Sequence, residues 1–381
     1  MQKGHEQNVR IAIVGAYPRK VGISYCSNMA PSGSPTTRAI ERVESLCRDH
    51  VRERPLRVAL INELRRSIGF DWYAWLLTDP ETEVGSSPLA DTPSLPDLPR
   101  LIRFKYLTDV NRWTGLTTTA TTLHAATSGA LERSLAWREV LSSYGVVDVA
   151  SLVFRDAHGC WGFVDLWRSG EAGPFSERDL DHLAAIVGPV THALRRSQAH
   201  TFDEATPLPA RSGPLVLVLS PALEVKAQTP ETEAYLRSLV PPDGDRRPVP
   251  AGAYNVAAQL LAVEAGVDDH PPSARVHLGG GVWLTLRAAR VDADGPSPEH
   301  DIAVTIEPTS PSERRSLFAR SHALSPREVE LLDRLSEGAD TRTVARGLFL
   351  SEHTVQDHLK SIFVKTGAHN RRTLLARIAG T

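Results

Sequence analysis

A chain of 381 residues is longer than one ordinary core requires and fits two or three domains of about 100–200 residues each. Hydrophobic residues make up 41% and charged residues 23%, a globular composition that excludes disordered and fibrous chains. The net charge of −2 excludes a protein that coats nucleic acid by bulk electrostatics, although a docking face can still be locally basic.

Residues 1–35 open with MQKGHEQNVRIAIVGAYPRK, whose apolar run Ile11 to Gly15 is too short for a secretory signal, and end in the Pro/Ser/Gly-rich APSGSPTT. This reads as a flexible arm. No run anywhere approaches the roughly 18–20 apolar residues of a membrane span, so a cytoplasmic protein without a membrane partner is expected. Ile40, Val43 and Leu46, then Val58, Ile61, Leu64 and Ile68, recur at helical spacing and predict two amphipathic helices from about Thr36. FDWYAWLLTD follows as a buried strand ending at the turn Asp79-Pro80. VVDVASLVFRDAHGCWGFVDLWRSG gives two strands joined at Asp156–Gly159. Ser176 with Asp179 opens a long helix carrying Leu180, Leu183, Ile186, Val187, Val190 and Leu194 on one face. Helices beside an antiparallel sheet make residues 36–200 an α+β domain.

A polar, proline-containing connector, TFDEATPLPARSGP, leads to a second strand-rich unit over 208–308, read as a smaller α/β domain. PLVLVLSPALEV starts it, two helices follow, and SARVHLGGGVWLTLRAARVD with HDIAVTIEP supplies three strands. Gly279, Gly280 and Gly281 sit at a hairpin and lack the order of a phosphate loop. Residues 309–321 are expected to be a linker.

Residues 322–381 divide into four short helices, an all-α C-terminal module. Ser325 is an N-cap, Pro326 takes the first helical position and Glu328 completes a capping box; Gly338 stops the helix. Asp340 caps a second helix over 341–348, Ser351 a third that stops at Gly367, and Asn370 the last. Val329, Leu332, Val344, Leu348, Val355, Leu359 and Ile362 can meet in one core. The short link 349–351 is the one a helix-turn-helix needs, one helix bracing on phosphates while the next enters the major groove.

LSPREVELL, Gly338, Val344-Ala345 and LSEHTVQDHLKSIFVKTG together resemble the LuxR-type helix-turn-helix family. The resemblance implies a tetrahelical DNA-binding domain with double-stranded promoter DNA as partner, a homodimeric state and RNA polymerase as a further partner. It implies base reading by His353, Gln356, Asp357 and Lys360, and phosphate contacts by Thr354, Lys365 and Arg372. Gln, Asp and Lys suit adenine, cytosine and guanine edges respectively. Thr341 and Thr343 depart from the family's usual Asn and Glu or Gln. Leu374, Leu375 and Ile378 either form a dimer stripe or close the monomer core.

Residues 36–200 resemble a GAF domain in FDWYAWLLTDPETEVGSSPL, the strands around Val149–Arg168 and the closing helix; 208–308 resemble a PAS-type unit. Such units imply a small-molecule effector. Its candidate pocket draws on Trp72, Tyr73, Trp75, Tyr106, Trp113, Trp161 and Trp167, for which core packing is the alternative reading. Arg100, Arg103 and Lys105 are either an anion site or a solvated basic face. Cys26, Cys47 and Cys160, like His124, His158, His182 and His192, show no metal-ligand spacing, so no metal or cofactor is expected. With no nucleophile–base pair in view the chain is not expected to be an enzyme. The alternative organisation is an enzyme-like or ligand-binding N-terminal unit whose helix-turn-helix docks protein.

Overall fold

The computed structural model describes residues 35–170, 172–204, 213–239, 250–291 and 299–380. The expected arm lies outside these, except for Pro35 at the start of the first helix.

The first unit runs α1 (Pro35–Asp49), α2 (Glu53–Ser67), β1 (Trp72–Thr78), β2 (Gly85–Asp91), α3 (Leu98–Leu107), β3 (Ala120–Thr122), α4 (Leu123–Thr127), α5 (Leu135–Glu139), β4 (Val146–Asp156), β5 (Gly159–Ser169) and α6 (Glu177–His200). Its strands form one antiparallel sheet in the order β2-β1-β5-β4-β3. Both faces are covered. Strand alternation sends Tyr73 and Trp75 of β1 into one core with Leu56, Leu60 and Leu64 of α2 and Leu183, Ile186 and Val190 of α6. It sends Ala74 and Leu76 to the opposite face, beneath α3. The capping box of Ser176 and Asp179 that opens α6 is formed as the sequence predicts.

The second unit comprises β6 (Leu215–Leu219), β7 (Val225–Gln228), α7 (Pro230–Leu239), α8 (Ala251–Glu264), β8 (Ser273–His277), β9 (Trp283–Arg290) and β10 (Ile302–Pro308). Its sheet order is β7-β6-β10-β9-β8, and every pairing is antiparallel. The α/β expectation is corrected to α+β, because every strand pairing in this sheet is antiparallel. Counted within each unit, the two sheets share one strand order, 2-1-5-4-3. In α8 the small residues Ala253, Ala257, Ala258 and Ala262 are all buried, which lets the helix lie close to its sheet.

Two buried ion pairs join the units. Asp79, after β1, pairs with Arg275 of β8 at 2.6 Å, and Arg112 pairs with Asp268, after α8, at 2.7 Å. Thr82 Oγ1 also donates to Ser273 O at 2.6 Å. Charges taken out of water are stable only when paired and fully hydrogen-bonded. Arg275 meets this by donating to both Asp79 oxygens and to Glu313 O, and Asp268 by accepting from Arg112 and Thr114.

The segment expected as a linker is a helix, α9 (Pro311–Ser321). Ser310 and Glu313 form a capping box, Pro311 takes the first turn, and Leu317 and Phe318 are fully buried. An apolar face with nowhere else to go makes this segment pack instead of span. Phe318 meets Phe202, just after α6, edge-on at 5.2 Å, and Phe202 stacks on Trp283 of β9 at 5.7 Å. Arg314 donates to Gly281 O at 2.7 Å and to Ile378 O at 2.6 Å. Gly281 is required here: its φ is +74°, and a Cβ would lie 2.0 Å from Glu204 O.

The chain ends in α10 (Pro326–Ser336), α11 (Thr341–Gly347), α12 (Glu352–Thr366) and α13 (Arg371–Ala379). Their core holds Leu332, Val344, Val355, Leu359 and Ile362, with Val329 and Leu348 packed at its edge. Among the described residues no helix is long and apolar enough to cross a membrane.

Candidate nucleic-acid interface

Every predicted cap in the C-terminal module is formed. Ser325 accepts from the Glu328 N–H while Glu328 reaches back, Asp340 accepts from Thr343, Ser351 from Thr354 and Asn370 from Thr373. These bonds satisfy orphan N–H groups and fix where each helix begins. Gly367 ends α12 at φ +65°. The turn between α11 and α12 holds Phe349 at φ +55° with its side chain almost wholly in solvent.

Burying Val355, Leu359 and Ile362 leaves the opposite face of α12 exposed, and His353, Gln356, Asp357 and Lys360 all stand on it. Their spacing at i, i+3, i+4 and i+7 makes one outward polar stripe. Asp357 lies between two cationic or proton-binding neighbours, with Lys360 Nζ at 3.1 Å and His353 Nε2 at 3.6 Å. The Lys360 hydrogen bond, with the charges of His353 and Lys360, holds the Asp357 carboxyl below its usual range. Gln356 Nε2 reaches Thr341 Oγ1 at 3.5 Å, so the family-divergent Thr341 touches the stripe. Thr354 is half-buried, its hydroxyl 2.8 Å from Ser351 Oγ. Arg372 is exposed at the start of α13.

Lys365 sits differently. Its ammonium donates to Glu328 Oε2 at 2.6 Å and to Ala323 O at 3.2 Å. Burial raises the Glu328 carboxyl, but the hydrogen bonds from Lys365, Ser361 and Ser325 outweigh it and bring its pKa down to about 2. Lys365 thus braces α10 against α12 in the free chain. Leu374 and Ile378 are buried in the chain's own core and Leu375 is packed at its edge, because α9 lies against α13.

The seven candidate pocket aromatics divide between two sheet faces. Tyr73, Trp75 and Trp161 belong to the helix-side core; at Trp161 a register shift in the β4–β5 pairing skips one residue. Trp113 stacks on Phe163 at 4.2 Å, and Trp72 packs near Trp167. Tyr106 and Trp167 line a cavity of about 100 Å³ between sheet and α3. The cavity also takes Lys105, which pairs with Asp165 at 2.8 Å, so this lysine is neither solvated nor a free anion site. Arg100 is exposed, by contrast, and its guanidinium donates to Glu139 O at 3.0 Å.

Residues 322–378 match the family described as bacterial regulatory proteins, luxR family. Among curated proteins the chain is similar to "Probable HTH-type transcriptional regulator GfsR" of Streptomyces halstedii, 32% identical over 127 residues, covering 33% of this chain and 44% of that protein. It is similar also to "Probable csgAB operon transcriptional regulatory protein" of Salmonella typhimurium and "CsgBAC operon transcriptional regulatory protein" of Escherichia coli, each 45% identical over 51 residues, 13% of this chain. The chain thus covers under half of the first relative and 24% of the other two. The C-terminal module is a LuxR-type helix-turn-helix of the kind found in transcriptional regulators.

Proposed function

We propose that the chain is a transcriptional regulator that binds promoter DNA through residues 322–381, with its affinity set by the two sheet-bearing units upstream. The observation that carries this reading is the outward stripe His353, Gln356, Asp357 and Lys360, held on a helix whose opposite face is fixed in a capped tetrahelical core. A rigid helix presenting polar side chains at one face is the element that major-groove readout requires. Arg372 and Thr354 are the phosphate contacts of this reading, and Lys365 joins them only by sharing its ammonium with Glu328.

The upstream units are read as a GAF-like and a PAS-like sensor, supported by two five-stranded antiparallel sheets of matching order and by the cavity in the first. The route to the reading head is a contiguous set of packed rings: Phe202 after α6, Trp283 in β9 and Phe318 in α9, which lies against α13. A homodimer formed through Leu374, Leu375 and Ile378 requires α13 to leave α9 first. RNA polymerase contact belongs to the same reading.

Fluorescence anisotropy of the full chain on the DNA upstream of its own coding region, titrated with salt, tests the function. A specific complex whose log affinity falls linearly with log salt supports DNA recognition; no preference over scrambled DNA sinks it.

A further inference from the structure

The cavity in the first unit is lined by side chains whose polar atoms are incompletely satisfied. Its wall is mainly apolar, with Leu98, Leu101, Ile102, Leu141, Val149 and Phe163 among its residues. Its volume of about 100 Å³ is several times what one water needs. Three of its lining side chains, Asn111, Asn255 and Trp167, are at least nine-tenths buried, and each keeps one polar atom without a partner: Asn111 Oδ1, Asn255 Oδ1 and Trp167 Nε1. An unmet buried polar group costs roughly 1–3 kcal/mol, so such atoms grouped around a cavity point to a molecule that satisfies them.

The hydrogen-bond network fixes which atoms are left over. Lys105 donates to Asp165 Oδ2 at 2.8 Å, and Ser151 Oγ donates to Asp165 Oδ1 at 2.6 Å. With its proton on Asp165, Ser151 Oγ can only accept, so the Asn111 atom 3.1 Å from it is the amide nitrogen. Asn255 is fixed likewise, because the atom facing Ala251 O at 2.9 Å must be a donor. Both amides therefore present carbonyl oxygens as acceptors, and the Trp167 indole presents one N–H. The Lys105 ammonium is offset by the Asp165 carboxylate, so the pair favours no net charge in a guest.

Asn255 and Ala251 come from α8, the helix of the second unit. The cavity is thus completed by a wall that the first unit does not own.

We propose that this cavity binds a small, uncharged, largely apolar molecule carrying two hydrogen-bond donors and one acceptor, held between the first unit's sheet and α8 of the second. The donors meet Asn111 Oδ1 and Asn255 Oδ1, and the acceptor meets Trp167 Nε1. This deepens the sensor reading by naming the ligand class, and it is tested by binding alone, so that a failure to alter DNA affinity bears on that reading and not on this one.

The test is calorimetric titration of the full chain at pH 7 with 4-ethylresorcinol, an uncharged apolar diol, beside 4-ethylbenzoate and ethylbenzene. The diol binds; the anion and the hydrocarbon bind at least about tenfold more weakly, the loss of one or more hydrogen bonds. Asn255→Ala removes an acceptor from the second unit's wall, and Trp167→Phe removes the indole donor while keeping an aromatic ring. Each lowers diol affinity about tenfold, read on protein that circular dichroism shows to be folded at the titration temperature. No binding of the diol at millimolar concentration, tighter binding of the anion, or wild-type affinity in both variants overturns the proposal. If a variant unfolds, the order of the three probes on the wild-type chain still decides it.

Discussion

Arg275 donates to both carboxylate oxygens of Asp79, at 2.6 Å each, across the boundary between the two sheet units. The Arg275 backbone N–H adds a third bond at 2.9 Å. Burial alone pushes the Asp79 carboxyl up, yet the guanidinium's charge and hydrogen bonds hold it below its usual value of 3.8. Asp79→Asn leaves the buried guanidinium with only the more exposed Glu81 carboxylate, at 3.1 Å, as counter-charge and costs roughly 3 kcal/mol. Urea unfolding followed by tryptophan fluorescence reads this loss. With the folded pKa depressed, the contribution is present above about pH 4 and disappears only as pH falls further, so the wild type and Asp79→Asn converge in strong acid.

His277 sets a different pH window. Burial pushes its pKa from 6.5 down to about 4, with nearby Glu204 opposing and Arg314 reinforcing the fall. The native state keeps the ring neutral, against Trp283 at a centroid distance of 5.1 Å, while the unfolded chain takes up a proton below 6.5. The stabilisation is complete above that value and is lost as pH falls toward about 4, up to roughly 3 kcal/mol in all. His277→Leu flattens the melting-temperature profile between these two pH values.

Arg314 ties the hairpin at Gly281 to the end of α13 through buried hydrogen bonds to carbonyl oxygens, with its guanidinium 4.9 Å from the Phe202 ring. Its removal leaves those carbonyls unmet. Arg314→Ala destabilises the chain by roughly 2–4 kcal/mol, the sum of unmet acceptors and lost packing. It also frees the Leu374 and Ile378 face, so analytical ultracentrifugation shows stronger self-association than in the wild type.

At the DNA interface, Lys365 and Arg372 separate. Arg372→Ala weakens binding similarly on all sequences and reduces the salt slope by about one, with the melting temperature unchanged. Lys365→Ala takes the partner from Glu328, whose side chain is 4% exposed, and lowers the melting temperature as well. Gln356→Ala combined with Lys360→Ala abolishes preference for one site while retaining salt-dependent binding.

The C-terminal module was legible because its signals are local: each cap lies within three residues of the N–H it satisfies. The same Ser-Pro-x-Glu order at Ser310 to Glu313 announces α9, but with only Leu317, Phe318 and Ala319 apolar in its second half the helical period is hidden. That helix lies against α13, whose Leu374 and Ile378 share one core with Leu317 and Phe318. Alternation in β1 and β5 separates the aromatics onto two faces, yet both faces are buried, so hydrophobicity could not say which one holds a cavity. Lys105 and Asp165 meet across 60 positions of sequence, and Asn255 joins the same wall from another unit. Only the tertiary fold brings such groups together. β2 escaped the sequence reading because Pro88 and a Ser87 at φ +38° are poor strand signals.

The strand order shared by the two sheets has a topological effect on the path of the chain. In the second sheet the first strand, β6, lies beside the last, β10, with Leu215 opposite Ile306, so the polypeptide enters and leaves that unit at neighbouring points. The unit is an excursion whose ends meet. Phe202 before it and Phe318 after it touch directly, although they lie 116 positions apart in sequence. The shortest physical line from the first unit to the helix-turn-helix therefore bypasses most of the second unit. Lengthening that excursion would add chain without adding distance.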